Sequence, residues 1–182
     1  MTVPNLITIL RIILTPIFII YLINDRFLAA LVVFVVAGLS DGADGLTARL
    51  LHQKSKVGAY LDPLADKILL VAAFVVLAAR GFVPSWLTVL VISRDILILL
   101  GTLILLLNGA NLVIRPSVIS KVTTCFQLGT VFLALSKGYF SFSSHFIPYV
   151  FWLTGGLTIA SGLHYMRFWF SMVGEGSSSN RI

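Results

Sequence analysis

Four aspartates, Asp41, Asp44, Asp62 and Asp66, fall in one short stretch, DGADGLTARLLHQKSKVGAYLDPLAD, of a chain with only seven acidic residues. The first two are spaced i, i+3 and the last two i, i+4, so on helices each pair projects from a single face. Four carboxylates brought together repel strongly at low dielectric, and divalent cations relieve that repulsion. Oxygen-only ligands favour Mg²⁺, Mn²⁺ or Ca²⁺, while the lack of Cys or His in the cluster disfavours zinc.

Small residues accompany the carboxylates. Gly45 and Ala48 share a helical face with Asp41 and Asp44, and Gly58 lies four residues before Asp62 and eight before Asp66. They clear a trough in which a phosphorylated ligand can approach the backbone. Arg49 adds a planar, permanently charged fork suited to phosphate. Each feature alone also has a structural explanation: Gly and Ala pack helices closely, and Arg49, Lys54, Lys56 and Lys67 are nearby partners for carboxylates. Their joint occurrence favours a site.

The elements that must carry these residues are membrane helices. The 182-residue chain is 58% hydrophobic and 11% charged, with a mean hydropathy of +1.02, whereas soluble domains carry about a quarter charged residues. Apolar runs long enough to span a bilayer follow one another. They cover about 6–23, from 27 into the charged stretch at 41–49, from 58 to Arg80-Gly81, 85–107, from Pro116 to Lys137-Gly138, and from near Pro148 to about Phe170. The expected fold is all-α, a polytopic bundle of six transmembrane helices. One membrane-embedded domain is expected over residues 1–173, and a disordered Gly/Ser-rich tail over 174–182. The N-terminal run lacks signal-peptide features and is expected to be retained.

An even number of spans puts both termini on one side. Lys54, Lys56, Arg115 and Lys121 lie on that side, against Arg26, Arg80 and Lys137 opposite, which makes the terminal side and the aspartate region cytoplasmic. Trp86, Trp152 and Trp169 near helix ends suit an aromatic belt. The net charge of +6 sits at the ends of apolar runs rather than in a basic patch, so nucleic-acid binding is not expected. Cys125 reads as a small buried hydrophobe. A small transporter would share the polytopic, charge-bearing character, but typically builds its site at the midplane between repeats, and no repeat is evident.

The aspartate window resembles the signature of the CDP-alcohol phosphotransferase family, D-x2-D-G-x2-A-R-x8-G-x3-D-x3-D, with all eight fixed positions and all spacings met. That resemblance implies a metal-dependent transfer of a phosphatidyl group from CDP-diacylglycerol to a glycerol-type alcohol, with release of CMP. It implies two divalent ions, Mg²⁺ or Mn²⁺, held by Asp41, Asp44, Asp62 and Asp66. Asp66 would also be the general base, and Gly45, Ala48, Arg49 and Gly58 would line the CDP pocket. The physical argument alone does not choose Asp66 over Asp62 as base.

The resemblance extends along most of the chain. Pro4-Asn5-Leu6-Ile7-Thr8 with Arg11, and Leu61 to Lys67, are similar to cardiolipin synthases and phosphatidylglycerophosphate synthases alike. Ser93-Arg94-Asp95 and the run Arg115-Pro116-Ser117-x-x-Ser120-Lys121-x-x-Thr124-x-x-Gln127 look more like the eukaryotic-type cardiolipin synthases. The favoured acceptor is therefore phosphatidylglycerol, with glycerol 3-phosphate the alternative. Arg94, Arg115 and Lys121 are candidates to bind the acceptor's phosphate by charge-assisted hydrogen bonds, although Arg94 beside Asp95 reads equally as an internal pair. Arg11 is expected to face the bundle interior. Family members are commonly homodimers, for which the apolar third and fourth helices offer an interface.

Overall fold

The computed structural model describes residues 3–51, 56–107, 117–137 and 146–178, with side chains described for 9–40, 67–101, 117–137 and 146–167. These residues form six α-helices: α1 (Val3–Ile23), α2 (Phe27–Leu51), α3 (Lys56–Ala79), α4 (Ser85–Leu107), α5 (Val118–Ser136) and α6 (Phe146–Ser178). No strand occurs among the described residues. Each helix matches one of the six apolar runs. α6 overruns its expected end near Phe170, continuing through Gly174 and Gly176 to Ser178. Two glycines cost about 1 kcal/mol each in a helix interior, and with no proline after them the established helix propagates.

Two tight turns set the order of the bundle. At the end of α1, Arg26 N–H donates to the Tyr21 carbonyl (2.9 Å) and Asp25 N–H to that of Leu22 (3.3 Å). Asp25 takes the left-handed conformation, φ 57°. At the end of α3, Phe82 N–H donates to Leu77 (2.9 Å) and Gly81 N–H to Ala78 (3.0 Å), with Gly81 at φ 72°. Both are the paired bonds by which a left-handed residue closes a helix. Asp25 occupies a position usually given to glycine because its short polar side chain tolerates that region. The turns are tied together: Arg80 NH1 donates to Asp25 Oδ1 (2.8 Å), Arg80 NH2 donates to the Ile23 carbonyl, and the Phe27 and Phe82 rings lie 4.8 Å apart.

The main apolar core lies toward this end. Phe18 and Leu22 of α1, Ala30 and Phe34 of α2, Phe74 and Leu77 of α3, Leu87 and Val91 of α4, and Val131 and Leu135 of α5 form one buried cluster. Within the same region Trp86 stacks on Trp152 at 4.8 Å, and Gly155 makes room for it. A Cβ added at Gly155 would lie 2.7 Å from Trp86 Cζ3.

α5 and α6 join by hydroxyls and an amide rather than by large apolar residues. Thr130 and Thr154 hydroxyls are 2.8 Å apart, Gln127 Nε2 donates to Thr158 Oγ1 (3.2 Å), and Thr123 Oγ1 donates to the Leu157 carbonyl (3.2 Å). Small polar residues serve in this way where surrounding lipid removes the hydrophobic drive for helices to associate. Because α5 buries the face bearing Thr123, Gln127, Thr130 and Val131, Cys125 lies on the opposite face. It is exposed, which corrects the expectation of a buried cysteine.

The outer surface is apolar, with Leu39, Val89, Val118, Tyr149 and Trp152 all more than 60% exposed. Among the described residues Val118–Ser136 and Phe146–Arg167 are long and apolar enough to cross a membrane by length and composition.

Candidate active site

The signature is divided between two helices. Asp41, Asp44, Gly45, Ala48 and Arg49 occupy the last turns of α2, and Gly58, Asp62 and Asp66 the first turns of α3. Helical backbone on both segments makes the i, i+3 and i, i+4 spacings same-face spacings. The Arg80–Asp25 pair holds the C-terminal ends of α1 and α3 at one end of the bundle. α2 departs from that end and α3 arrives there, so the signature halves lie toward the other end, away from the apolar core. Both helices pack against α1 and both meet α5.

The side chains of Asp41, Asp44, Gly45, Ala48, Arg49, Gly58, Asp62 and Asp66 lie outside those described, and Arg115 lies wholly outside the described residues. His52 and His145 lie outside them as well. Among the described residues no group of three or more His, Cys, Asp or Glu gathers. The donor set of the signature, all oxygen and drawn from helical positions of adjoining turns, fits a hard divalent cation.

Described side chains adjoin the signature along the same helices. A cavity of about 90 Å³ is bounded by Arg11 of α1, Ala37 and Gly38 of α2, Lys67 and Leu70 of α3, and Thr124 of α5. Gly38 is one helical turn before Asp41, and Lys67 directly follows Asp66. Arg11 is 2% exposed, so its charge faces the interior as expected. A larger apolar groove of about 510 Å³ runs between α3 and α4 past Val71, Val75, Ile92 and Ile96, with Lys67 and Asp95 also in its wall. Lys67 thus borders both spaces.

Arg94 is buried, and its donors meet groups inside the bundle. NH1 donates to Asp95 Oδ1 (2.7 Å), NH2 to Ser120 Oγ (2.5 Å) and to Ser161 Oγ (2.9 Å), and Nε to Ser161 Oγ (3.3 Å). Of the two readings open for Arg94, the internal pair is the arrangement observed. Asp95 Oδ1 also accepts from Lys67 Nζ at 2.6 Å. Lys121 is exposed on the first turn of α5. That helix begins at Ser117, whose Oγ accepts from Ser120 N–H (3.2 Å), a standard N-cap bond. The backbone N–H of Ser117 donates to the Tyr165 hydroxyl of α6 (3.4 Å).

Sequence reasoning missed the part played by α6. Thr154, Thr158, Ser161 and Tyr165, spaced 4, 3 and 4 apart in an apolar helix, form a polar stripe at helical period. That spacing was the available signal. It was also silent on the Lys67–Asp95 pair, since nothing in the chain order brings residues 28 apart together.

The described residues form a helical bundle with an apolar exterior, with Arg11 and Arg94 buried inside it. The family model for CDP-alcohol phosphatidyltransferase matches residues 1–173, and the chain belongs to that family.

The relatives include proteins of two kinds. The chain is 34% identical over 184 residues to human cardiolipin synthase (CMP-forming), covering 92% of this chain and 61% of the relative. It is 31% identical over 179 residues to the Bacillus subtilis CDP-diacylglycerol--glycerol-3-phosphate 3-phosphatidyltransferase, covering 89% of this chain and 92% of the relative. The Pseudomonas fluorescens protein of the latter name is 39% identical over 179 residues, covering 92% and 89%. The chain thus spans about 60% of the length of the human cardiolipin synthase and nearly the full length of the two bacterial transferases.

Proposed function

We propose that this chain transfers a phosphatidyl group from CDP-diacylglycerol to the hydroxyl of a glycerol-type alcohol, releasing CMP. The observation that carries this reading is the complete eight-residue signature, falling on two helices that share α1 and α5 as neighbours. Asp41, Asp44, Asp62 and Asp66 would hold two divalent ions, Mg²⁺ or Mn²⁺. Bound there, such ions neutralise the donor's diphosphate and stabilise the entering and leaving oxygens of an in-line displacement.

The chain's own residues bind, orient and move the proton. Gly45, Ala48 and Gly58 leave space for the cytidine diphosphate, and Arg49 pairs with its phosphate. Asp66 accepts the proton of the acceptor hydroxyl as its oxygen attacks the lipid-side phosphorus. A new P–O bond forms to the acceptor, the P–O bond to CMP breaks, and CMP carries away the negative charge. Arg115 and Lys121 bind the acceptor's phosphate, and Arg94 holds Ser120, the residue before Lys121.

Phosphatidylglycerol is the favoured acceptor, supported by the run 115–127 and by the cardiolipin synthase relatives. Glycerol 3-phosphate is the second reading, favoured by near full-length coverage of the bacterial transferases. The six helices are read as six spans, supported by the apolar outer surface and the scarcity of polar groups able to face water. The signature end is cytoplasmic, and α3 and α4 form the contact of a homodimer.

The test is CMP release from CDP-diacylglycerol by the detergent-purified chain with Mg²⁺ or Mn²⁺, offering phosphatidylglycerol and glycerol 3-phosphate in parallel. Metal-dependent release with either supports the transfer and identifies the acceptor. No release with any glycerol-type acceptor, from folded protein, defeats the reading.

A further inference from the structure

One carboxylate joins four helices. Asp95 Oδ1, on α4, takes Lys67 Nζ from α3 at 2.6 Å and Arg94 NH1 at 2.7 Å. Arg94 passes the connection on to Ser120 of α5 and Ser161 of α6. This chain of contacts includes the neighbours of two candidate site residues: Lys67 follows Asp66, and Ser120 precedes Lys121. The inner cavity is lined by Lys67 and by Thr124, which lies one helical turn after Ser120.

Stability alone does not account for such an arrangement. Desolvating charges costs about as much as their attraction returns, and apolar replacement of a buried ion pair is often neutral or stabilising. Both cations meet Oδ1, while Oδ2 is buried with no hydrogen-bond partner among the described residues. What the observed geometry does provide is a fixed distance between the turn of α3 that carries Asp66 and the first turn of α5.

We propose that Asp95 is a positioning residue for the acceptor. Through Lys67 and through Arg94–Ser120 it sets the amino end of α5 against residue 66, so that an acceptor phosphate held by α5 presents its hydroxyl to the catalytic carboxylate. This rests on the phosphatidyl-transfer reading above. It predicts a division of labour: donor binding belongs to the signature and is independent of Asp95, whereas productive use of the acceptor depends on it. Misplacement of reacting groups by about 1 Å can cost roughly a hundredfold in rate.

The experiment compares the parent with Asp95→Asn, Asp95→Glu and Ser120→Ala as full-length chains in detergent with Mg²⁺. CDP-diacylglycerol and acceptor are varied separately, and melting temperature is recorded for each variant. For Asp95→Asn the expected result is a loss of about tenfold or more in kcat/KM for acceptor, with the KM for donor within about twofold. Asp95→Glu should recover part of the loss, and Ser120→Ala should show a smaller loss of the same kind. If donor and acceptor parameters fall together in step with melting temperature, Asp95 is merely structural and the proposal is overturned. Parent-like kinetics in Asp95→Asn overturn it as well. Should Asp95→Asn fail to fold, Ser120→Ala decides, and an unchanged kcat/KM for acceptor there is the refuting result. Asp66→Asn separates the two levels: if it remains as active as the parent, the transfer mechanism itself is wrong and this inference falls with it.

Discussion

Lys67 Nζ lies 2.6 Å from Asp95 Oδ1 across the seam between α3 and α4. Lys67 is a quarter exposed while Asp95 is buried, so the pair marks where the interior charge network meets the accessible spaces beneath the signature. An ionisable pair at this depth of an apolar bundle is costly to place. Its position one residue from Asp66 links the packing of the bundle to the chemistry proposed at its open end. The opposite end is closed by the apolar cluster around Phe18, Phe74 and Leu87. The fold thus has an apolar end that supplies cohesion, opposite the end to which the proposed chemistry is assigned.

Asp66→Asn should lower CMP release by about 10²- to 10⁴-fold, the usual worth of a positioned general base. The variant should keep the parent's melting temperature in detergent. Chelation with EDTA should abolish the parent's activity, and added Mg²⁺ or Mn²⁺ should restore it, because four carboxylates without a cation repel both each other and the donor's diphosphate. Activity that survives exhaustive chelation would remove the metal from the mechanism.

Much of this was readable from the chain because the signals were strong and local. Six long apolar runs separated by polar breaks require helices, and the observed helices follow them closely except at the end of α6. The signature needs only fixed spacing along two consecutive helices. Contacts that depend on how helices rotate against one another were not readable. Lys67 has several acidic residues nearby in sequence, and the chain order does not single out Asp95 on α4, which it meets at 2.6 Å. Cys125 sits in an apolar run in which every residue looks equally buriable, and only the rotation of α5 toward α6 decides that Thr123 and Gln127 face inward instead.

Lys121 is exposed on the first turn of α5, free to reach a phosphate in a way that buried Arg94 is not. Lys121→Gln should raise the acceptor KM by about tenfold, the worth of one charge-assisted contact, and leave kcat and the donor KM nearly unchanged. Because both proposed acceptors carry phosphate, the effect should appear with whichever one the enzyme uses. A change confined to the donor KM would assign Lys121 to the CDP side of the site.

Gly155→Ala places a methyl group 2.7 Å from Trp86 Cζ3 and 3.1 Å from Cη2. Trp86 is also stacked on Trp152, so moving the ring disturbs that contact. Overpacking of this kind costs about 1–3 kcal/mol, and thermal unfolding in detergent should show it. Gly156→Ala is the matched control: nothing lies within 4 Å of the added carbon, and the gain in helix propensity is up to about 1 kcal/mol. Equal destabilisation by both would mean that α6 is sensitive to any added side chain rather than to contact with Trp86.

Gln127 and Thr130 should respond differently to apolar replacement, although both are fully buried. Thr130 gives its proton to the Phe126 carbonyl (2.8 Å), so the Thr154 hydroxyl donates to Thr130 across the α5–α6 seam. Thr130→Val strands that donor, and a double-mutant cycle with Thr154→Val should return a coupling near 0.6 kcal/mol, typical of interhelical hydrogen bonds in membranes. Gln127 donates to Thr158 Oγ1, but its own Oε1 is buried without a partner, and Thr158 donates to the Thr154 carbonyl regardless (2.7 Å). Gln127→Leu therefore removes an unsatisfied oxygen together with one neutral bond, and those effects offset within about 1 kcal/mol. Unfolding in graded SDS would measure both variants. A large loss of stability in Gln127→Leu would show that the amide oxygen has a partner after all, with a buried water molecule the first candidate.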